Sequence, residues 1–109
     1  LKKQDLPWTC SACGRIIRPD IVFFGEQIPA RALEQSAEYV KQADLILVIG
    51  TSGEVAPAST LPWEVVHRKG KLLECNLGQS AYAQRADVRM QGAAEEALPV
   101  LEKILNEIK

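Results

Sequence analysis

The positions at which this 109-residue sequence could do chemistry begin with a Cys-x-x-Cys pair. Cys10 and Cys13 are followed by Gly14, and two thiolates at this spacing can bind one metal ion. Structural zinc needs four ligands, and the sequence offers no second pair, so the spacing predicts half of a zinc ribbon. A thioredoxin-like redox pair and a chance pair of cysteines are the alternatives that the spacing leaves open.

Three short loops of small residues form the second group: Gly50-Thr51-Ser52-Gly53, Asn76-Leu77-Gly78 and Gly92-Ala93-Ala94. Each follows a run that reads as a β-strand. Small residues let a backbone approach a ligand, and N–H and hydroxyl groups can hold phosphate or ribose. A carboxamide can both donate to and accept from a sugar hydroxyl. The loops therefore predict a nucleotide site, with plain turns as the alternative.

Three further reactive side chains favour structural roles. His67, the sole histidine, is predicted near the end of a helix, away from the strand ends. Glu26 follows Gly25 and is typical of a cap or a loop ion pair. Cys75 stands alone in an apolar run, which predicts a small buried core residue.

An alternation of strands and helices must position these residues. The predicted strands are Asp20–Gly25, Leu45–Ile49, Lys71–Asn76 and Ala86–Met90, of which the second is predicted to be buried on both faces. Helices are predicted from Pro29 to about Ala43, from Pro62 to Gly70, and at the end of the chain, with Pro99 in the first turn or at a kink. Crossovers of this kind build an open parallel sheet flanked by helices, which is an α/β fold.

Charge and hydropathy exclude several classes. Thirteen basic and fourteen acidic residues are spread along the chain, so no basic stripe predicts nucleic-acid binding. The longest apolar run, Leu45–Ile49, is too short to cross a membrane. Three cysteines with one close pair indicate a reducing compartment, and we expect a cytoplasmic protein. Because the sequence begins with Leu1, we expect it to continue upstream.

Taken in order, the motifs resemble the sirtuins. They are C-x-x-C-G from Cys10, RPDIVFFGE from Arg18 to Glu26, GTS-x-x-V-x-PA from Gly50 to Ala58, and Asn76. The match resembles the C-terminal half of a sirtuin catalytic core. Sirtuins are NAD-dependent protein deacylases, which transfer the acyl group of a modified lysine to ADP-ribose and release nicotinamide. The resemblance implies NAD as cofactor, acylated lysines of proteins as substrates, and no nucleic-acid or membrane partner.

The resemblance also implies an architecture. Residues 21–109 would be the C-terminal part of a Rossmann-like NAD-binding domain, with a partial parallel sheet flanked by helices. Residues 1–20 would be the second half of a small zinc-ribbon lobe, whose structural zinc site is incomplete in this chain. The catalytic histidine, the glycine-rich NAD loop and the first cysteine pair of the family lie upstream, so the chain contains no catalytic residue and is predicted to be inactive alone.

Site residues follow from the matched motifs. NAD contacts are implied for Gly50, Thr51, Ser52, Asn76, Leu77, Gly78 and Ala94, with Ala93 as the neighbouring possibility for the last. Substrate contacts are implied for Val22, Phe23, Phe24, Gly25, Glu26 and Val55, so that the peptide would be added as a strand between two loops. Zinc ligands are implied for Cys10 and Cys13. The chain departs from the family where Gly53 replaces a larger apolar residue and Phe24 replaces Trp.

Two other classes compete with this interpretation. The central domain of thiamine-diphosphate enzymes also has a nucleotide-binding sheet with small residues after its strands, but it requires no Cys-x-x-Cys followed by an FGE loop. A non-catalytic zinc-ribbon interaction module would explain the absent catalytic half but not the loops at the strand ends.

Overall fold

The computed structural model of the chain describes residues 7–108. Leu1 and the first residues of the predicted 1–20 segment lie outside that range. The chain divides into two compact units, Leu1–Ala30 and Arg31–Lys109. The boundary predicted from the resemblance, after residue 20, falls within the first of them. Among the described residues, no helix is both long and apolar enough to cross a membrane.

The second unit is built on a parallel sheet of three strands in the order β1-β2-β3. The strands are β1 (Leu45–Ile49), β2 (Lys71–Asn76) and β3 (Val88–Gln91), and the helices are α1 (Ala30–Gln42), α2 (Leu61–His67) and α3 (Ala94–Glu107). Helix α2 packs against β1 and β2, and α3 packs against β2. The predicted α/β fold with a parallel sheet flanked by helices is thus confirmed.

Local chemistry explains where two of the helices end. The Arg68 guanidinium donates hydrogen bonds to the carbonyl groups of Val40 and Ala43, which satisfies acceptors at the end of α1. After α2, Lys69 adopts a left-handed conformation with φ of 67°. Gly70 follows in close contact with Val65, where a β-carbon would collide with that side chain.

The core of this unit lies beneath the sheet centre. Val48, Leu72 and Tyr82 form its buried centre. The partly buried side chains of Ile46, Trp63, Val66 and Ala86 pack around it. Cys75 is 1% exposed, which confirms the prediction that it is a buried core residue.

One sequence prediction for this unit needs correction. Strand β1 is not buried on both faces within the described residues, because Leu45 and Ile49, which lie on the same face, are about half exposed. Of the two positions predicted for Pro99, the first turn is excluded, because Pro99 lies inside α3. The helix begins at Ala94, which the apolar periodicity alone did not indicate.

The first unit is a hairpin followed by a closed loop. Thr9 and Ile16 form an antiparallel bridge on either side of the cysteine pair. The predicted strand Asp20–Gly25 is wrong, because the structure has a turn at its end in which the Glu26 N–H donates to the Phe23 carbonyl at 3.0 Å. Gly25 has a φ of +85°, so the chain reverses there and finds no partner strand among the described residues.

Candidate functional site

The loops that follow the three strands meet at one edge of the sheet. Parallel pairing places the carboxyl ends of β1, β2 and β3 side by side. The Gly50 N–H donates to the Cys75 carbonyl at 2.9 Å, and the Gly92 N–H donates to the Asn76 carbonyl at 3.2 Å. Ligands of open α/β sheets bind beyond these carboxyl ends. The structure therefore brings together the loops in which sequence reasoning expected a nucleotide.

Two glycines shape the first of these loops, Gly50–Gly53. Gly50 and Gly53 have φ values of 60° and 73°, in the left-handed region that glycine adopts without steric cost. The Gly53 N–H donates to Thr51 Oγ1 at 3.2 Å, which closes the loop on itself. Thr51 and Ser52 are exposed, and the loop presents their backbone and hydroxyl groups to solvent. Groups of this kind can hold phosphate or ribose oxygens.

Asn76 joins the first loop to the second. Its Nδ2 donates to the Thr51 carbonyl at 2.7 Å. The side-chain oxygen is left to accept from a ligand hydroxyl while the amide nitrogen fixes Thr51. Leu77 is 71% exposed beside it, and Ala94 begins α3 just after the carboxyl end of β3.

Tyr82 lies directly behind the first loop, and sequence reasoning did not single it out. Its ring is buried and packs on Trp63 with ring centroids 5.4 Å apart, and its hydroxyl donates to the Ser59 carbonyl at 2.9 Å. Burial raises the pKa of this phenol, so it stays a neutral donor. The adjacent Ala81 N–H donates to the Ser52 carbonyl at 2.8 Å, so this segment supports the loop from beneath.

A buried ion pair on β2 and β3 was also missed. Glu74 is fully buried and lies 3.0 Å from Arg89 through Oε2 and Nε. The available signal was a glutamate in the otherwise apolar run LLEC, because charged residues are seldom fully buried unless they are paired.

In the first unit, an arginine organises the loop Arg18–Glu26. The Arg18 guanidinium pairs with the Glu26 carboxylate through two bonds of 2.8 and 2.9 Å, and the Phe23 N–H donates to the same carboxylate at 3.0 Å. The Arg18 side chain, and then the Phe23 N–H, lower the pKa of Glu26 to about 2. Arg18 also lies over the Phe23 ring, 5.1 Å from its centroid.

This loop leaves its apolar side chains available. Phe24 is 91% exposed, and Val22 and Phe23 are each about half exposed. Glu26, in contrast, uses its carboxylate within the loop, as the loop ion pair expected from sequence. Of the predicted substrate residues in this loop, Val22, Phe23 and Phe24 are thus exposed, whereas Glu26 fixes the shape of the loop.

The cysteine pair occupies the tip of the hairpin. The Cys10 N–H donates to the Arg15 carbonyl and the Gly14 N–H donates to the Cys10 carbonyl, each at 2.8 Å. A hydrogen bond from the Arg15 backbone, followed by the Arg15 side chain and Cys10, lowers the pKa of the Cys13 thiol. A lowered thiol pKa favours the thiolate that binds metal.

The hairpin fits half of a structural zinc site. Its two thiols lie at one turn, but no group of three or more His, Cys, Asp or Glu side chains in residues 7–108 could hold a metal ion. Cys75 is buried in the second unit. A closed zinc site takes four ligands, of which Cys10 and Cys13 could supply two.

The sole histidine lies at the opposite ends of the strands from these loops. His67 ends α2, immediately before the chain enters β2 at Lys71. It is therefore at the amino ends of the strands, remote from the loops at their carboxyl ends. This placement agrees with the predicted position of His67 near the end of a helix, away from the carboxyl ends of the strands.

Comparison with known proteins gives a consistent result. The family model described as "Sir2 family" matches residues 1–57. A "NAD-dependent protein deacylase" of Thermococcus kodakarensis is 41% identical over 108 residues, which are 99% of this chain and 42% of that protein. One of Pyrococcus furiosus is 41% identical over 109 residues, which are all of this chain and 42% of that protein. The chain spans about two-fifths of the length of these relatives.

Solved structures agree with the sequence matches. A Sir2 homologue in complex with NAD superposes with a TM-score of 0.82 at 35% identity, covering 92% of this chain and 39% of that one. A Sir2 structure with p53 peptide and NAD⁺ gives a TM-score of 0.74 at 36% identity, covering 93% of this chain and 42% of that one. A structure described as Sir2 bound to acetylated peptide gives 0.72 at 38% identity, covering 87% and 40%.

Proposed function

Because this chain belongs to the Sir2 family, the sirtuins, we propose that it forms the C-terminal part of the catalytic core of an NAD-dependent protein-lysine deacylase. The whole enzyme would transfer the acyl group of a modified lysine to ADP-ribose and release nicotinamide. Family membership favours this function over a thiamine-diphosphate enzyme or a zinc-ribbon interaction module. We also propose a cytoplasmic location, on the cysteine usage alone.

One observation carries the proposal: Asn76 holds the Gly50–Gly53 loop at the carboxyl edge of the sheet. The 2.7 Å bond from Asn76 Nδ2 to the Thr51 carbonyl joins two loops that are 25 residues apart in sequence. Gly50, Thr51 and Ser52 would bind the NAD phosphates and ribose through backbone and hydroxyl groups. Asn76, Leu77 and Gly78 would bind the adenosine ribose, and Ala94 would lie on the adenine side.

The chemistry that bound NAD supplies is an activated ribose carbon, from which nicotinamide leaves and to which the acyl group is transferred. This chain would contribute binding and orientation but no catalytic base, because its one histidine lies at the amino ends of the strands, away from the nucleotide loops. The acyl-lysine and its peptide would be contacted by Val22, Phe23, Phe24 and Gly25. Val55 would contact the peptide from the opposite side. Glu26 would keep the Arg18–Glu26 loop closed through its ion pair with Arg18.

Zinc would have a structural part only. Cys10 and Cys13 would supply two ligands of a four-cysteine site. The lowered pKa of the Cys13 thiol supports this assignment. No step of the reaction depends on it.

Titration with ADP-ribose tests the nucleotide site directly. We expect amide resonances of Gly50–Ser52 and Asn76–Gly78 in the isotope-labelled 109-residue chain to shift together as ADP-ribose is added. Asn76→Ala removes both the sugar contact and the bond to the Thr51 carbonyl, and we expect it to raise the dissociation constant about tenfold. The control is Asn106→Ala, because Asn106 is exposed on α3 and should leave binding unchanged.

If millimolar ADP-ribose shifts no resonance in these two loops, or if Asn76→Ala and Asn106→Ala bind it equally well, the strand-end loops are not a nucleotide site.

A further inference from the structure

A charged pair of one buried and one partly buried side chain lies in the sheet close to the second loop, Asn76–Gly78. Glu74 is in the middle of β2, and the register of the two strands places Arg89 of β3 opposite it. The Glu74 side chain is 0% exposed and that of Arg89 is 24% exposed. Because side chains alternate along a strand, Glu74 lies on the same face of the sheet as Asn76.

Both side chains reach beyond their strands to one turn. Glu74 Oε1 accepts a hydrogen bond from the Ser80 hydroxyl. Arg89 Nη2 donates to the Gly78 carbonyl at 2.6 Å. The Ser80 Oγ in turn accepts from the Tyr82 N–H at 3.0 Å, and the turn is thereby held at both of its ends.

Stability is a poor explanation for this arrangement. Removing two charges from water is costly, and apolar residues of similar volume often stabilise a fold as well as a buried ion pair or better. Within the described residues, moreover, Glu74 Oε2 and Arg89 Nε make no well-aligned hydrogen bond, although they lie 3.0 Å apart. The contacts of this pair with Gly78 and Ser80 are therefore its distinctive contribution.

We propose that Glu74 and Arg89 are positioning residues, which fix the Gly78–Ser80 turn and thereby set the affinity of the site for the adenosine part of its ligand. The turn directly continues Asn76 and Leu77, so its position determines where these residues present their groups. This inference rests on the proposed nucleotide site, but its structural half can be tested without any ligand.

The double variant Glu74→Leu/Arg89→Leu separates positioning from stability. We expect it to keep a cooperative thermal transition near that of the unaltered chain, because the pair is replaced by apolar side chains. The Tyr82 amide should exchange with solvent at least tenfold faster, because Ser80 is no longer held. The dissociation constant for ADP-ribose should rise by a similar factor.

Lys71→Leu is the matched control. It removes an ion pair between the first residue of β2 and the residue just before β3, where Lys71 Nζ lies 2.9 Å from Asp87 Oδ1. We expect unchanged Tyr82 exchange and unchanged ADP-ribose binding in this variant. If the double variant does not fold, Arg89→Lys tests the same point, because one ammonium group cannot contact both Glu74 and Gly78. We expect faster Tyr82 exchange in this variant too.

Faster Tyr82 exchange in a variant of unchanged thermal stability supports the positioning role. Tyr82 exchange and ADP-ribose binding equal to those of the unaltered chain would overturn it. So would losses that appear only in proportion to a lower thermal midpoint. If the unaltered chain binds no ADP-ribose, the nucleotide site itself fails, and the exchange comparison still decides whether the pair fixes the turn.

Discussion

Gly53 and Tyr82 complement each other in size. The resemblance to the sirtuins implies a larger apolar side chain at the position of Gly53, and in this chain the Tyr82 ring lies beside it. A β-carbon at Gly53 would collide with the Tyr82 ring, which comes from the segment between β2 and β3. The Tyr82 ring therefore fills the space beside Gly53, and the loop keeps a packed support.

We expect Gly53→Ala to lower the free energy of unfolding by about 2–4 kcal/mol. The positive φ of 73° alone costs an alanine roughly 1–2 kcal/mol, and the collision with Tyr82 adds to it. Gly92→Ala is the control, because a β-carbon there meets no atom within 4 Å. Urea unfolding of both variants measures the difference, and equal midpoints would show that neither the positive φ nor the Tyr82 ring constrains this position.

At the residue scale, the sequence reveals which groups could touch a ligand but not what holds them. Asn76 and the Gly50–Gly53 loop are recognisable because small polar residues follow apolar runs. Their support is not recognisable, because Tyr82 and Arg89 become neighbours of the loops only through the parallel pairing of β2 and β3. Glu74 alone gave a signal, as a charge within an apolar strand.

At the element scale, apolar runs predicted two of the strands correctly and a third one wrongly. The predicted Leu45–Ile49 and Lys71–Asn76 agree with β1 and β2 residue for residue, because both runs are bounded by turn residues. The run Asp20–Gly25 has the same β-prone composition but forms no strand. Its geometry is set by the pair of Arg18 and Glu26, whose eight-residue separation no periodicity detects.

The Arg18–Glu26 loop should therefore respond to acid. The folded-state pKa of Glu26, about 2, is below its ordinary value of 4.5, so its contribution is present above pH 4.5 and is lost as the pH falls towards 2. We expect the Phe23 amide resonance, whose N–H donates to this carboxylate, to titrate with a midpoint near 2. Glu26→Gln should abolish that titration, and a midpoint near 4.5 in the unaltered chain would contradict the ion pair.

For the whole molecule, the described residues leave a considerable apolar surface uncovered. Helix α3 has no buried residue, although it packs against β2. Val100, Ile104 and Ile108 recur every four residues and are 58, 48 and 75% exposed. Such spacing places them on one side of the helix. Contiguous apolar surface of this kind favours association, because each buried aliphatic side chain contributes about 1.5–3 kcal/mol.

We accordingly expect the 109-residue chain to self-associate as its concentration rises, which light scattering measures as a mass above that of one chain. Ile104→Lys/Ile108→Lys should suppress this association, and the fold should tolerate it, because lysine is a good helix former and a cation near a helix C-terminus is favourable. Asn106→Lys is the control, since it adds a charge to the same turn of α3 but lies outside the apolar spacing. A single-chain mass at every concentration, or equal suppression by the control, would show that this side of α3 does not drive association.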